Sequence, residues 1–332
     1  MNDNFWLQLK KPILALAPMA GITDSAFREI CIKYGADVAY SEMASVSALF
    51  FKPVRTLELI KFGAPERPYV VQLFGKDPAH FAKATQIVTK EVKPDGIDIN
   101  FGCPAKKVFG HGSGCALMPQ KELAREIISA VCNNTDLPVS IKIRAGIEGR
   151  DAKSCVSTTA IEFIENIKDL PFTTVMVHAR TYEGGFSGPL NFDIVSEIKK
   201  IIPDKIVLAN GGINTPEDAK NILDHYPNID GVGIARGAWG KPYIFAQIKN
   251  LMSNNCRDEA CLVSTGNEYD FAKIKKIAIE HAELLWVNKG ATGMFEIRKH
   301  LTWYFKGFPN ASELRQKLMQ SQSVEEIKDI LK

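Results

Sequence analysis

The 332-residue sequence lacks a run of about 18 apolar residues, and this absence excludes a transmembrane helix. Residues 1–6 also lack the basic start and the long apolar run of a signal peptide, so we expect no such leader. The seven cysteines form no C-x-x-C pair, which argues against both a zinc site and a disulfide framework. Scattered, reduced thiols are typical of the cytoplasm, where we expect the protein to reside without a membrane or a metal ion.

The sequence also has little excess charge of either sign. Its net charge is +3, and the whole excess lies in residues 241–332, where 14 Lys and Arg oppose 11 Asp and Glu. This is a weak indication of an anionic partner for that region, and a solvated lysine-rich surface explains it equally well. Hydrophobic residues make up 45% of the chain and charged residues 24%, as in globular proteins, so disorder is excluded as the main state.

Short apolar runs recur along the chain, and each is followed by a stretch with helical periodicity. The eight runs are Ile13–Ala17, Asp37–Ser41, Tyr69–Phe74, Gly96–Asn100, Pro138–Ile143, Thr173–Val177, Lys205–Ala209 and Asp230–Ile234. The helical stretches include Ser25–Tyr34, His80–Lys90, Lys121–Val131, Val156–Ile167 and Pro216–Leu223. Eight strand–helix units in about 240 residues indicate a (β/α)8 TIM barrel, which is an α/β fold. An open doubly wound sheet is the competing arrangement, but it seldom needs eight evenly spaced units.

The chain after Pro242 shows helical periodicity without strands. The predicted helices are 243–253, Tyr269–Val287, Gly293–Tyr304, Ala311–Gln320 and Val324–Leu331. The polar residues 253–267 between the first two predict a loop or linker. We therefore expect a catalytic barrel of residues 1–245, followed by a small all-α helical domain of residues 246–332.

Functional residues of a TIM barrel lie at the C-terminal ends of its strands and in the loops that follow. Polar residues are dense at these predicted positions: Gln72, Asn100, Cys103, Lys142, Arg144, His178, Arg180, Asn210 and Arg236. The turns Gly211–Gly212 and Ala235–Arg236 follow strands 7 and 8, where barrels commonly bind phosphate through backbone N–H groups. Gly211–Gly212 taken alone is as often a simple tight turn. Two such turns on consecutive strands, one with an arginine, favour a phosphate site.

Lys142 and Cys103 are the strongest candidates for chemistry. Lys142 lies inside an apolar strand, where an amine is costly unless it meets an anion or an electron-rich group. The alternative is a lysine that extends from the strand end into water. Cys103 lies in a Gly-Cys-Pro turn beside lysines, so its thiol can be a nucleophile or a proton donor. The alternative, a buried cysteine that acts as a small hydrophobic residue, fits the other six better.

Several segments together resemble the tRNA-dihydrouridine synthase (Dus) family, and its bacterial B-type branch in particular. They are residues 17–24 (APMAGITD), 100–108 (NFGCPAKKV), 142–144 (KIR), 177–180 (VHAR), the turns at Asn210 and Arg236, and residues 298–307 (RKHLTWYFKG). The resemblance covers nearly the whole chain, and N-x-G-C-P-x-x-K is its most specific part. It implies an FMN-binding TIM barrel in which NADPH supplies electrons to reduce the C5–C6 bond of selected uridines in the D-loop of tRNA.

The resemblance also implies a role for each matching residue. Pro18, Met19 and Ala20 would line the flavin. Gln72 and Lys142 would contact its ring system, and Asn100 would border both flavin and substrate. The phosphate end would be bound by His178, Asn210, Gly211, Gly212, Ala235 and Arg236. Cys103 would be the general acid.

The tRNA-binding candidates are Lys106, Lys107, Arg144, Arg180, Arg298, Lys299, His300, Tyr304 and Lys306. Those of the tail span several faces of one helix, so not all can contact RNA. Arg298 with Lys306, or Lys299 with Trp303, alternatively pack the domain.

Three positions depart from the family pattern. Gly212 replaces a usual acidic residue, Ala235 a usual glycine, and Cys115 a usual serine or alanine. The first two act largely through the backbone, so FMN binding should survive with altered affinity.

Three other functions compete with this interpretation. An FMN barrel that reduces a free pyrimidine, as dihydroorotate dehydrogenase does, would share the phosphate turns but has no reason for a basic helical tail. A non-redox aldolase would use Lys142 as a Schiff-base amine. An RNA-binding scaffold without catalysis would not need Cys103 and Lys142.

Overall fold

The computed structural model describes residues 4–149, 157–253 and 269–332. Its central feature is a sheet built from all eight predicted strands: β1 Ile13–Leu16, β2 Val38–Tyr40, β3 Tyr69–Phe74, β4 Gly96–Phe101, β5 Val139–Ile147, β6 Thr174–Thr181, β7 Ile206–Asn210 and β8 Gly231–Ile234. Strands β5 and β6 run four residues beyond their predicted ends. Their last residues still pair with each other, Arg144 with His178 and Gly146 with Thr181, although Lys142, Arg144 and His178 break the apolar pattern.

The eight strands pair in parallel and close into a barrel. The order is β2-β1-β8-β7-β6-β5-β4-β3, and a further pairing of β2 with β3 completes the ring. Two short two-residue strands are added, Ala44–Ser45 beside β3 and Thr158–Thr159 antiparallel to β5. The TIM-barrel prediction is therefore confirmed, because closure by β2 and β3 is what an open sheet lacks.

Helices surround the barrel. They are α1 Ser25–Lys33, α2 Val46–Phe51, α3 Pro53–Leu59, α4 Pro78–Ile87, α5 Lys106–Gly110, α6 Lys121–Cys132, α7 Ala160–Ile167, α8 Asp193–Ile201 and α9 Pro216–His225. The sequence analysis gave no bounds for α2, α3, α5 and α8, three of which are too short to show a clear periodicity. Helix starts follow the chemistry of their caps: the Thr215 hydroxyl, for example, accepts a hydrogen bond from the Asp218 N–H at the start of α9.

Within residues 244–253 and 269–332, five further helices follow the barrel: α10 Ile244–Ser253, α11 Phe271–Lys289, α12 Ala291–Tyr304, α13 Ala311–Gln320 and α14 Val324–Ile330. Ile244, Phe245 and Ile248 of α10 belong to the hydrophobic cluster of the barrel. The buried residues of α11–α14 form a separate cluster, which Ala26 and Ile30 of α1 join. Apart from Ser253, the predicted linker 253–267 lies outside the described residues. In the described part of the chain, no helix is long and apolar enough to cross a bilayer.

The interior of the barrel is closed at one end and open at the other. Trp6 is fully buried and clusters with Ile13, Val38 and Ile206, which lie at the N-terminal ends of their strands. Aromatic and aliphatic side chains therefore fill the barrel at the N-terminal ends of the strands. The polar side chains lie at the mouth, at the C-terminal ends.

Candidate active site

A cavity of about 520 Å³ opens at the C-terminal mouth of the barrel, a size that suits a cofactor. It is lined by every residue predicted for catalysis or cofactor contact: Pro18, Met19, Ala20, Gln72, Asn100, Cys103, Lys142, His178, Asn210, Gly211, Gly212, Ala235 and Arg236. Arg144 lines it as well. The parallel register explains this convergence, since Asn100 pairs with Lys142 and His178 pairs with Asn210 at neighbouring levels of the barrel.

A chain of side-chain hydrogen bonds connects the barrel interior to the turn that carries Cys103. Asp98 accepts hydrogen bonds from Gln72 Nε2 at 2.7 Å and from Ser140 Oγ at 2.6 Å. Gln72 Oε1 then accepts from Asn100 Nδ2 at 2.9 Å. Asn100 Oδ1 accepts from the N–H of Cys103 at 2.9 Å, and also from the N–H of Gly102. The carboxylate of Asp98 thus orients two amides, and the second amide holds the turn.

Asp98 was missed by the sequence analysis, although an acidic residue inside an apolar strand was a usable signal. It is fully buried, and this burial raises its pKa to about 6 despite the donors at both oxygens. Asp98 acts on the site through Gln72 and is a positioning residue.

We expect Asp98→Ala to lower the free energy of unfolding by about 1–3 kcal/mol, because it leaves buried donors of Gln72 and Ser140 unpaired. Urea unfolding of the purified protein measures this loss. Asp98→Asn is the matched control, since its oxygen can still accept from Gln72 while the Ser140 hydroxyl rotates to accept from its amide. Equal free energies of unfolding for Asp98→Ala and wild type would show that the hydrogen bonds to Asp98 do not stabilise the fold.

Cys103 reaches the cavity with a protonated thiol. Burial raises the pKa of this thiol, and the charges of Arg144 and Lys142 offset the effect only in part. A thiol that keeps its proton at neutral pH is suited to donate it, which favours the proton donor over the nucleophile. Cys115 is fully buried, its pKa is raised by burial to about 12, and its N–H donates to the Cys103 carbonyl at 3.3 Å. This backbone hydrogen bond helps to hold the turn.

Lys142 projects into the mouth, where its ammonium donates to Asn210 Oδ1 at 3.1 Å. Asn210 in turn donates from Nδ2 to the Gly233 carbonyl at 2.7 Å, so both side chains are fixed. Burial, together with the nearby charge of Arg144, lowers the pKa of Lys142 to about 8. The amine still carries a positive charge at pH 7. Because the site is enclosed, this charge attracts an electron-rich partner more strongly than it would in water.

One corner of the cavity has the features of an anion site. His178 Nε2 is buried and has no hydrogen-bond partner among the described residues. Burial lowers the pKa of His178 to about 2, and Lys142 and Arg144 contribute, so the ring is neutral and can donate one N–H. Gly211 and Gly212 adopt φ values of +106° and +74°, which strain any other residue, and a Cβ at Gly211 would lie 2.4 Å from His178 Cδ2. Glycine at position 212 therefore fits the backbone of this turn, although the family usually has an acidic residue there.

The predicted basic residues divide into exposed and engaged ones. Lys106, Lys107 and Lys306 are exposed. Arg144 is buried and donates to the carbonyls of Gly102, Thr181 and Gly185, so it fixes the mouth loops. Arg180 donates from Nε to the Gly188 carbonyl at 2.6 Å, while its buried Nη1 has no partner in the described chain.

The tail residues predicted to contact RNA also differ in their surroundings. His300 and Tyr304 are 0% and 2% exposed, inside the helical cluster, so we remove both from the RNA-contacting set. Arg298 donates to the Ser321 carbonyl and Lys299 to the Gly21 carbonyl, so both join packed segments of the protein. A helix that carries bulky residues on several faces does not reveal from its sequence which face the bundle covers.

Three lining residues carried no strong sequence signal: Met43, Phe186 and Trp239. The guanidinium of Arg236 lies 4.9 Å from the Phe186 ring centroid, and its Nη2 donates to the Phe186 carbonyl at 3.0 Å. Trp239 stacks on Trp303 of α12 with ring centroids 4.4 Å apart. The wall of the cavity is therefore continuous with the helical domain.

The fold and the site define a TIM barrel with a thiol, an enclosed ammonium and an unpaired imidazole nitrogen at one mouth. The sequence model of the family described as dihydrouridine synthase (Dus) matches residues 15–332. The chain belongs to the dihydrouridine synthase family, and so to the oxidoreductases.

Comparisons with individual proteins agree with this membership. The chain is 35% identical over 309 residues to the tRNA-dihydrouridine synthase B of Vibrio parahaemolyticus, covering 93% of this chain and 90% of that protein. It is 32% identical to the probable tRNA-dihydrouridine synthase 1 of Synechocystis, covering 95% and 84%. The structure of the old yellow enzyme from Trypanosoma cruzi is similar with a TM-score of 0.51 and 10% identity, covering 73% of this chain and 89% of that one. At this identity the likeness concerns the fold alone.

Proposed function

We propose that the protein is a tRNA-dihydrouridine synthase that uses FMN and NADPH to reduce the C5–C6 bond of uridines in the D-loop of tRNA. The names of its relatives support the reaction and the tRNA substrate. The observation that carries the proposal is the protonated thiol of Cys103 in the same cavity as the ammonium of Lys142 and the anion corner. A reduction that adds a hydride and a proton across a carbon–carbon double bond needs such a donor.

The residues of the cavity fit FMN. The orphaned Nε2 of His178 has no partner within the described structure, and a phosphate oxygen would supply one. The ribityl phosphate would be bound by His178, Arg236 and the N–H groups of the turn at Gly211 and Gly212. The isoalloxazine ring would lie against Pro18, Met19 and Ala20, with Gln72 and Lys142 at its polar edge.

When bound, reduced FMN would supply the hydride for C6 of the uracil ring. Cys103 Sγ–H donates the proton to C5, and Asn100 holds its turn through the Cys103 N–H. Lys142 stabilises negative charge beside the ring of the cofactor, and Asn210 fixes the direction of its ammonium. Trp239 and Phe186 line the cavity and restrict the access of water to it.

The uridine must leave its base stack to enter the mouth, which costs a few kcal/mol and favours nucleotides in loops. The exposed Lys106 and Lys107 stand directly after the Cys103 turn, where they can contact phosphates beside the flipped base. The helical domain 246–332, which carries most of the charge excess and the exposed Lys306, would bind the body of the tRNA. Such an enzyme would act in the cytoplasm.

The direct test is dihydrouridine mapping by mass spectrometry in cells that lack this gene, with and without complementation. Loss of dihydrouridine at D-loop positions, and its return on complementation, is expected. A gel shift with tRNA complements this test and should show salt-sensitive binding. Unchanged dihydrouridine, absence of tRNA binding and reduction of free orotate would together favour an enzyme of the dihydroorotate dehydrogenase kind.

Arg236→Ala is expected to weaken FMN retention by about tenfold or more, because a charge-assisted contact to the phosphate is lost. The flavin-to-protein absorbance ratio after gel filtration measures retention. Lys241→Ala is the control, since Lys241 is exposed and does not line the cavity. A fully loaded Arg236→Ala enzyme would contradict the phosphate role.

A further inference from the structure

Three buried titratable residues come together outside the cavity, where α1 meets the helical domain. Asp24 precedes α1, His281 lies in α11 and His300 lies in α12. Asp24 is 3% exposed and both histidines are 0% exposed. Each of the three residues offers one ligand atom, and these atoms all lie within 4.8 Å of one another.

The polar atoms that face this cluster are not hydrogen bonded. Among the described residues, Asp24 Oδ2, His281 Nε2 and both ring nitrogens of His300 have no partner. Buried polar atoms are nearly always paired, and four orphaned atoms in one cluster point to a partner that is not a protein group. A metal ion is a partner that a carboxylate oxygen and two imidazoles can all bind at once.

The orientation of the side chains fits this chemistry. His281 Nδ1 lies 3.1 Å from the Tyr304 hydroxyl, so Nδ1–H can donate there while the lone pair of Nε2 faces the cluster. Metal-binding histidines usually make such a bond with their second nitrogen. Asp24 accepts the N–H of Phe27 at Oδ1, at 3.1 Å, which leaves Oδ2 free for the cluster.

We propose that Asp24 Oδ2, His281 Nε2 and one ring nitrogen of His300 bind a divalent transition-metal ion, for which Zn²⁺ is the best match. Two nitrogens and one carboxylate oxygen form a common ligand set for this ion, with a fourth position left for water. Ligand atoms around tetrahedral zinc stand about 3.4 Å apart, given bond lengths of about 2.1 Å. The ligand atoms lie within 4.8 Å of one another, so binding of the ion requires the three side chains to draw closer together.

One anionic ligand and two nearby lysines set the charge around the proposed ion. Asp24 is its one anionic ligand, and the rings of Phe27 and Trp303 pack around His300. Lys299 and Lys289 are the cationic neighbours of His300, and both are engaged, Lys299 with the Gly21 carbonyl and Lys289 with Glu296.

The ion would join the barrel to the helical domain. Asp24 follows the loop that carries Pro18, Met19 and Ala20 of the cavity wall, and both histidines belong to the domain. The role is structural, and it does not depend on the proposed reaction. The sequence analysis expected no metal because it searched for short-range spacing, whereas positions 24, 281 and 300 converge only through the fold.

The test is zinc stoichiometry of the full-length protein, incubated with ZnCl₂ and passed through gel filtration. We expect one tightly held zinc per chain and a higher melting temperature with zinc than after EDTA treatment. His281→Gln, His300→Gln and Asp24→Asn should each lose the zinc. Asn at position 24 can still cap α1, and His225→Gln, at an exposed histidine of α9, is the matched control.

X-ray absorption at the zinc edge of the wild-type protein keeps the test informative if a variant fails to fold. Two imidazole ligands with oxygen and no sulfur are expected. Absence of retained zinc, retention by the three variants, or zinc–sulfur scattering would overturn the proposal. A crystal structure with a water molecule bonded to these atoms would do the same.

Discussion

Cys103→Ala is expected to lower the rate of dihydrouridine formation by about 10²–10⁴-fold, the range for loss of a positioned general acid. Cys103 contributes its thiol to the cavity, while its backbone N–H is held by Asn100 and its carbonyl by the Cys115 N–H. Alanine keeps both backbone contacts, so the turn should survive and only the proton donor should be lost. Single-turnover reduction of tRNA, followed by mass spectrometry, measures the effect.

Cys115→Ala provides the matched control, since this thiol is buried and does not line the cavity. It should keep nearly full activity. Both variants should retain the flavin spectrum and the affinity for tRNA in a gel shift. Unchanged turnover of Cys103→Ala would remove the general-acid role.

Lys142→Met should lower turnover by about 10²–10³-fold, as expected when a charge aimed at developing negative charge is removed. The protein should lose little stability, because methionine fills a similar volume and its gain from no longer burying a charge offsets the lost donor to Asn210 Oδ1. The combination of intact folding and lost turnover separates a functional lysine from a structural one. Thermal unfolding and the rate of dihydrouridine formation are the two measurements.

Lys205→Met is the control for this prediction. Lys205 is half-buried and donates to the carbonyls of Leu170 and Phe172, far from the cavity lining. Its replacement should reduce stability and leave turnover unchanged. If Lys142→Met behaved like Lys205→Met, the ammonium would have a structural role only.

The strands and the residues at their ends were predictable from the sequence. Parallel strands that are buried on both faces appear as continuous apolar runs, and these runs are local in the chain. A barrel brings the C-terminal ends of all its strands to one mouth, so the polar residues that interrupt or follow the runs had to meet. The proximity of Lys142, Asn210 and Cys103 could therefore be predicted without knowing the conformations of the loops.

Contacts between distant segments were not predictable in the same way. Nothing local marks Trp239 as the partner of Trp303, or Phe186 as the ring beside Arg236. The burial of His300 and Tyr304 depends on which helix face the bundle covers, and a helix with bulky residues on several faces leaves that open.

The order of apolar runs and strand-end polar residues along the chain determined the barrel, the position of its mouth and the side chains that meet there. The tertiary structure alone decided the raised pKa of the Cys103 thiol, the chain of amides from Asp98, and the convergence of Asp24 with His281 and His300. The physical reason is that periodicity and strand ends are properties of neighbouring residues. Burial, dielectric environment and hydrogen-bond partners are set by segments that meet only when the chain has folded.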